Sequence, residues 1–235
     1  AHEINNPIAV MQGNLDLMRE TLGAHAQPVR GELQLLDEQV ERMRLIVTQL
    51  LQYARPTEYA GYVESLDLNR TVNDCLVLVG HLLSQTHIKV QRELRGTRRV
   101  GCNRQELQQV IINLLINAIQ AMPQGGVLKL VTEDWVPEGP HTVHAGGTLL
   151  RVEDSGHGLS AEAQERLFRP FFTTKNDGNG LGLWISQGLV ERYGGHIAAA
   201  NRDDGMRGAV FTVSLFTEPQ APAATPTNDG RPGPV

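Results

Sequence analysis

The sequence predicts an α+β chain, a helical hairpin followed by an α/β layer domain, on three observations. In the first part, apolar residues recur at alternating steps of three and four, the seam of a helix meant to pack on other helices. A stretch rich in Pro, Gly and polar residues, 56–66, interrupts that pattern. Beyond it, strand-like apolar runs are interspersed with helical ones, the texture of a sheet covered by helices. At 235 residues, the chain also exceeds one ordinary domain of about 100–200 residues.

The first helix is written by Ile4, Ile8, Met11, Leu15, Met18 and Leu22, and the second by Leu33, Leu36, Val40, Met43, Val47, Leu50 and Ala54, ending before Pro56. A turn around Gln27, Pro28 and Gly31 joins them. One hairpin buries too little apolar surface alone, so residues 1–55 are expected to form a homodimeric four-helix bundle. After the linker 56–66, the expected domain of 67–217 opens with a helix from Leu68 to Leu83 and a strand from Ile88 to Leu94. A strongly apolar helix runs from Arg104 to Met122. Strands follow at Val127–Val131, Thr148–Val152 and Val210–Leu215, helices at about 160–168 and 183–193 lie between the later strands, and Trp135 to Gly147 reads as a long loop. The tail 218–235, rich in Pro, Ala, Thr and Gly, is expected to be disordered.

Composition narrows the chemistry. The 21 Lys+Arg against 26 Asp+Glu, net −5, leave no basic stripe for nucleic-acid phosphates. No apolar run reaches the roughly 20 residues of a membrane span. Cys75 and Cys102 have neither disulfide nor zinc-ligand spacing and read as buried thiols in a reducing compartment. The three lysines, Lys89, Lys129 and Lys175, are never followed by Ser or Thr. The phosphate loop G-x-x-x-x-G-K-[ST] is therefore absent, and nucleotide chemistry needs another cradle. The chain opens Ala1-His2 without an initiator Met and reads as part of a longer protein, with a first turn expected to fray.

Placing Ile8, Leu15 and Leu22 at heptad a positions and Ile4, Met11 and Met18 at d puts His2, Glu3 and Asn6 at b, c and f, facing outward. A histidine nucleophile then has a candidate base and an amide within reach, and Pro7 should kink the helix just beyond it. On spacing alone, a solvated polar face accounts for the same residues better. In the apolar helix, Asn113 and Asn117 share one face, and their carbonyl oxygens suit Mg²⁺; a satisfied polar pair is the alternative. Asp154-x-Gly156-x-Gly158 follows a strand, placing a carboxylate for an exocyclic amine such as adenine's beside glycines that would let a flat ring approach, although such residues also make turns. Finally, Phe172-Thr173-Thr174-Lys175 leads to Gly178-Asn179-Gly180-Leu181-Gly182 at a helix start, a phosphate cradle of exposed N–H groups with Lys175 placed for a terminal phosphate. The G-x-G-x-G spacing, with no strand immediately before it, excludes a Rossmann fingerprint.

In this order, the motifs resemble those of a bacterial two-component sensor histidine kinase, over about residues 1–217. They are the phosphoacceptor box His2-Glu3-Ile4-Asn5-Asn6-Pro7, the asparagine box Asn113 to Asn117, Asp154-x-Gly-x-Gly158, the phenylalanine box at Pro170-Phe171-Phe172 and the cradle Gly178 to Gly182. The first box and the short stretch from Phe172 to Gly178 are most similar to the nitrogen-regulator-like branch. The resemblance implies a dimerisation and phosphotransfer hairpin followed by an ATP-binding α/β sandwich of the type shared with gyrase, Hsp90 and MutL. It implies that His2 takes the γ-phosphate of Mg²⁺-ATP and passes it to an aspartate of a response regulator receiver domain, with Glu3 as proton acceptor. Asn117 with Asn113 would hold Mg²⁺, Asp154 would read adenine, and residues 173–182 would form the lid. Asn6 matches the position that helps water remove phosphate from the regulator, a phosphatase role. It implies a cytoplasmic portion of a larger protein that can be anchored in the inner membrane.

Two departures stand out: Asn179 replaces the usual Thr or Ser, and the last glycine box survives only as Gly205-Met206-Arg207-Gly208. Two rival readings remain. An ATP-driven clamp or ATPase of the same fold would carry a glutamate where this chain has Asn113, and an amide cannot act as the base for water. A non-catalytic dimerisation module would leave His2 without phosphate.

Overall fold

The computed structural model describes residues 2–53, 62–136, 146–175 and 179–219, and within these the side chains of 2–5, 24–26, 41–42 and 44–53 are left aside. The chain divides into two compact units, one of Ala1–Ala60 with Arg169–Ile185 and one of Gly61–Phe168 with Ser186–Val235.

In the first unit, α1 (His2–Leu22) and α2 (Arg30–Tyr53) are joined by a 3₁₀ turn (Gly23–Val29). The connection therefore lies earlier than the sequence suggests, with Gly23 supplying the positive φ and Gly31 already inside α2. Ile8 and Leu15 of α1 bury against Leu33 and Val40 of α2, each pair one heptad apart. Met11 and Met18, the d positions, stay 43% and 44% exposed. Two helices touch along one line, so a single hairpin covers only half of its seam. Beside that core, Asp37 accepts from Gln12 Nε2 at 3.2 Å and forms an ion pair with Arg19.

The second unit opens with β1 (Glu64–Leu66), paired antiparallel with β3 (Val100–Cys102). These three residues were expected to be linker; their pairing places them in the unit instead. The helix expected over Leu68 to Leu83 splits at Val79 into α3 (Leu68–Leu78), capped by the Asp67 carboxylate on the Arg70 N–H, and α4 (Gly80–Ser84). A five-stranded sheet follows, in the order β2 (Ile88–Leu94), β4 (Gly126–Trp135), β5 (Gly147–Asp154), β7 (Ala209–Phe216), β6 (His196–Asn201). Only β2 and β4 run parallel.

Strand parity dictates the two faces. Leu128, Leu130 and Thr132 of β4, Thr148, Leu150, Val152 and Asp154 of β5, and Ala209, Phe211, Val213 and Leu215 of β7 are all buried. On the other face, Lys129 meets Glu93 at 2.8 Å and Arg151 meets Glu133 at 3.1 Å. The buried face is covered by α5 (Arg104–Ala121), which packs on β5 and against α3. Between β5 and β6 lie α6 (Ala161–Arg166) and α7 (Gly182–Arg192). Residues 137–145 of the expected long loop and 220–235 of the expected tail lie outside the described residues. Pro219 reaches β3, where a Cβ on Gly101 would lie 2.8 Å from its ring.

Candidate functional site

Asp154 is the last inward-facing residue of β5, so the alternation that fills the core delivers a carboxylate to the sheet end at 2% exposure. Its Oδ1 accepts the N–H of Gly156 at 2.8 Å and that of Ala209 at 3.3 Å. Among the described residues, both bonds fall on this one oxygen. Burial raises the Asp154 pKa, opposed by these two N–H groups and by the nearby charges of His157 and Arg202. A buried, backbone-held carboxylate is a specific acceptor for a donor brought by a ligand.

The two motif glycines are each held against neighbouring residues of the chain. A Cβ on Gly156 would lie 2.5 Å from the carbonyl oxygen of Ala121 at the end of α5, so Gly156 lets the loop dock on that helix. Gly158, at φ 73°, faces Asn201 Oδ1, which a Cβ would approach to 2.8 Å. Internal packing by itself requires both glycines. Asn201, which sequence reasoning missed, clamps this loop: its Oδ1 accepts the Leu159 N–H at 2.6 Å and its Nδ2 donates to the Leu159 carbonyl at 2.8 Å. Its only sequence signal is an Asn ending a weak strand. Gly208 belongs to the support as well, pressed against the Asp154 carbonyl.

Asn117 lies one turn before Ala121 on α5, and Asn113 one turn earlier again, both half-buried. Asn113 Nδ2 donates to the buried Ser186 Oγ of α7 at 2.9 Å. The amide nitrogen is thereby committed, and the carbonyl oxygen is the atom left for an electropositive partner. Among the described residues, no three His, Cys, Asp or Glu side chains cluster as a metal site. A cation here would depend on these amide oxygens together with ligand oxygens.

In the first unit, the segment before α7 is shaped by its own contacts. Gly180, at φ 66°, lies against the backbone of Phe171 and Phe172, leaving no room for a side chain. Phe171 itself takes a φ of 63° and is 63% exposed. Thr173 Oγ1 accepts the Lys175 N–H at 3.1 Å, and Thr174 is exposed. Asn179 Oδ1 accepts the Leu181 N–H at 3.1 Å, so Asn at the position of the usual Thr or Ser organises the turn into the helix that begins at Gly182. Burial lowers the Lys175 pKa. Gly178 lies outside the described residues, as do the side chains of His2 and Glu3; His2 begins α1 and Asn6 is exposed.

Two family models match the chain. The model of the histidine kinase-, DNA gyrase B- and HSP90-like ATPase matches residues 102–219, and that of the His kinase A (phospho-acceptor) domain matches residues 1–58. The chain belongs to the bacterial sensor histidine kinase family. Among curated relatives, the sensor histidine kinase ZraS of Escherichia coli (strain K12) is 31% identical over 220 residues, covering 92% of this chain and 43% of ZraS. The chain thus spans less than half of that relative. The catalytic domain of histidine kinase ThkA is 31% identical with a TM-score of 0.58, covering 67% of this chain and 97% of that one. A structure of ThkA in complex with response regulator protein TrrA is 27% identical with a TM-score of 0.63, covering 93% of this chain and 60% of that one. The expected fold, hairpin plus α/β sandwich, is the fold of this family. Among the described residues, no helix is long and apolar enough to cross a membrane.

Proposed function

We propose that this chain is the catalytic portion of a sensor kinase that transfers the γ-phosphoryl group of Mg²⁺-ATP to His2 and then to an aspartate of a response regulator. The observation that carries the reading is Asp154, a carboxylate buried at a strand end with Oδ1 fixed by two backbone N–H groups, in a chain whose residues 1–58 match a phosphoacceptor domain. Asp154 would accept the adenine amine on its other oxygen. The fixed acceptor is ready before the ligand arrives, so little reorganisation is needed on binding.

Asn113 and Asn117 fit Mg²⁺, since both offer neutral oxygens and the Asn113 amide nitrogen is already bonded to Ser186. The ion would neutralise charge on the triphosphate. Lys175 and the backbone N–H groups around Gly178, Gly180, Leu181 and Gly182 would bind phosphate oxygens, with Phe172, Thr173 and Thr174 shaping that segment. Glu3 would take the imidazole proton as His2 attacks, and Asn6 would orient water for dephosphorylation of the regulator. Residues 1–55 would dimerise through the uncovered half of the hairpin seam, and the nucleotide-binding part would run from β1 to residue 217.

The ATPase reading is weaker because the amide of Asn113, bound to Ser186, stands where a hydrolytic relative carries a glutamate. Incubation with γ-labelled ATP and Mg²⁺ tests the proposal. Label stable to base and labile to acid, absent from His2→Gln, is expected. Phosphate release without a phosphoprotein would favour the ATPase, and nucleotide binding with neither would favour the non-catalytic module.

A further inference from the structure

The nucleotide reading leaves a polar cluster between α5 and the end of α7 unused. Glu106 Oε1 accepts from Arg192 Nη1 at 2.6 Å, and its Oε2 accepts from Tyr193 Oη at 2.6 Å. The side chains of Glu106 and Arg192 are 20% and 15% exposed, and Tyr193 is 6% exposed. Burial, together with the Glu106 carboxylate, raises the Tyr193 pKa, so the phenol stays a donor.

Two turns along α5 from Glu106 stands Asn113; two turns back along α7 from Tyr193 stands Ser186. These bond to each other as well, so the helices run antiparallel and meet at two polar rungs about 10 Å apart. Between the rungs, buried Val110 and Leu189 line a small, open-sided apolar crevice with Cys102, Leu107 and Leu215, beside Glu106 and Tyr193. Apolar contacts of this kind are non-directional and do not by themselves fix one helix on the other. Two directional bonds to a single carboxylate add that restraint.

We infer that Glu106 is a positioning residue for nucleotide binding: by holding Arg192 and Tyr193 it sets the register of α7 on α5 and, through Ser186, the orientation of the Asn113 amide. The inference rests on the assignment of Asn113 and Asn117 to the Mg²⁺-nucleotide. Glu106 touches neither metal nor phosphate, so its effect passes through the helix pair.

The test measures ATP affinity and its Mg²⁺ dependence in Glu106→Ala, Glu106→Gln, Tyr193→Phe, Ser186→Ala and the Glu106→Ala/Ser186→Ala double variant. Glu106→Ala is expected to weaken Mg²⁺-ATP binding about three- to tenfold and to raise the half-saturating Mg²⁺ in step. Glu106→Gln, which keeps an acceptor for Tyr193, and Tyr193→Phe, which keeps the ring, should move the same way by less. In the double variant the losses should be less than multiplicative, because both act on one register. A lowered Tm with Mg²⁺ dependence unchanged in Glu106→Gln and Tyr193→Phe overturns the inference, as does strict multiplicativity. Asn117→Ala and Asp154→Asn separate the two levels. If they weaken nucleotide binding while the Glu106 variants do not, the positioning role alone falls; if none of the variants has an effect, the nucleotide assignment falls with it.

Discussion

Gly208 sits so close to the backbone of Asp154 that no Cβ fits between them, while the next residue, Ala209, donates its N–H to the Asp154 carboxylate at 3.3 Å. The start of β7 therefore supports both the main chain and the side chain of the residue assigned to adenine. Gly208→Ala must displace the Asp154 backbone and crowd the Arg202 side chain at a φ of 135°, whereas Gly205, at φ 78°, has nothing within 4 Å of its would-be Cβ. Gly205→Ala should cost about 1–2 kcal/mol, the left-handed penalty alone. Gly208→Ala should cost more and also weaken ATP binding. Urea unfolding and nucleotide titration check both variants, and equal losses would contradict the support role.

Asp154 titrates against its fold. Burial raises its pKa, so the protonated form is favoured in the folded chain relative to the unfolded one. The resulting stability is full below the unfolded carboxyl pKa and is lost as pH rises through the raised folded value. At neutral pH the charge is then a cost that Asp154→Asn removes. The variant should be as stable as the parent or more so at pH 7 while losing ATP affinity, and the parent's affinity should fall as pH drops through the raised value. Thermal unfolding and ATP titration across pH decide this; a variant that loses both stability and affinity would show that the carboxylate is structural.

How much of this could be read in the chain depends on where each signal lives. The hairpin was legible because three- and four-residue spacing is local, and β4, β5 and β7 because their inward residues are bulky. β6, written His196-Ile-Ala-Ala-Ala-Asn201, was not: its residues are small and it exists through pairing with β7. β1 and β3, three residues each, need each other. Asp154 could be picked out from its motif, but the reason for Gly156 could not, since it lies in the Ala121 carbonyl, 35 positions earlier in the chain. The rung from Glu106 to Arg192 and Tyr193 joins helices that no local pattern associates.

Within the hairpin, Leu15 is 5% exposed and Met18 44%. Leu15→Ala should lower stability by about 2–5 kcal/mol, the range for truncating a buried leucine, whatever the protein concentration. Met18→Ala should act through association: its loss should grow on dilution, because it lies on the half of the seam assigned to a second copy. Sedimentation and unfolding at two concentrations check the pair. A Met18→Ala effect independent of concentration would remove that residue from the dimer contact.

Asp134 offers an acid-stability test remote from the nucleotide. Although desolvation acts to raise its pKa, the N–H groups of Arg98 and Thr97 and the hydroxyls of Thr97 and Thr148 hold it down at about 2. A lowered folded value means stability that is full above the unfolded carboxyl pKa of about 3.9 and is lost as pH falls toward the folded value. The group is exposed, so water screens part of the gain. Asp134→Ala should therefore destabilise the chain at neutral pH and make its unfolding less steep on acidification between about pH 4 and pH 2 than that of the parent. Acid titration followed by circular dichroism at fixed ionic strength reads this directly, and parallel acid transitions for parent and variant would show that Asp134 does not tie the β2–β3 loop to β4 and β5.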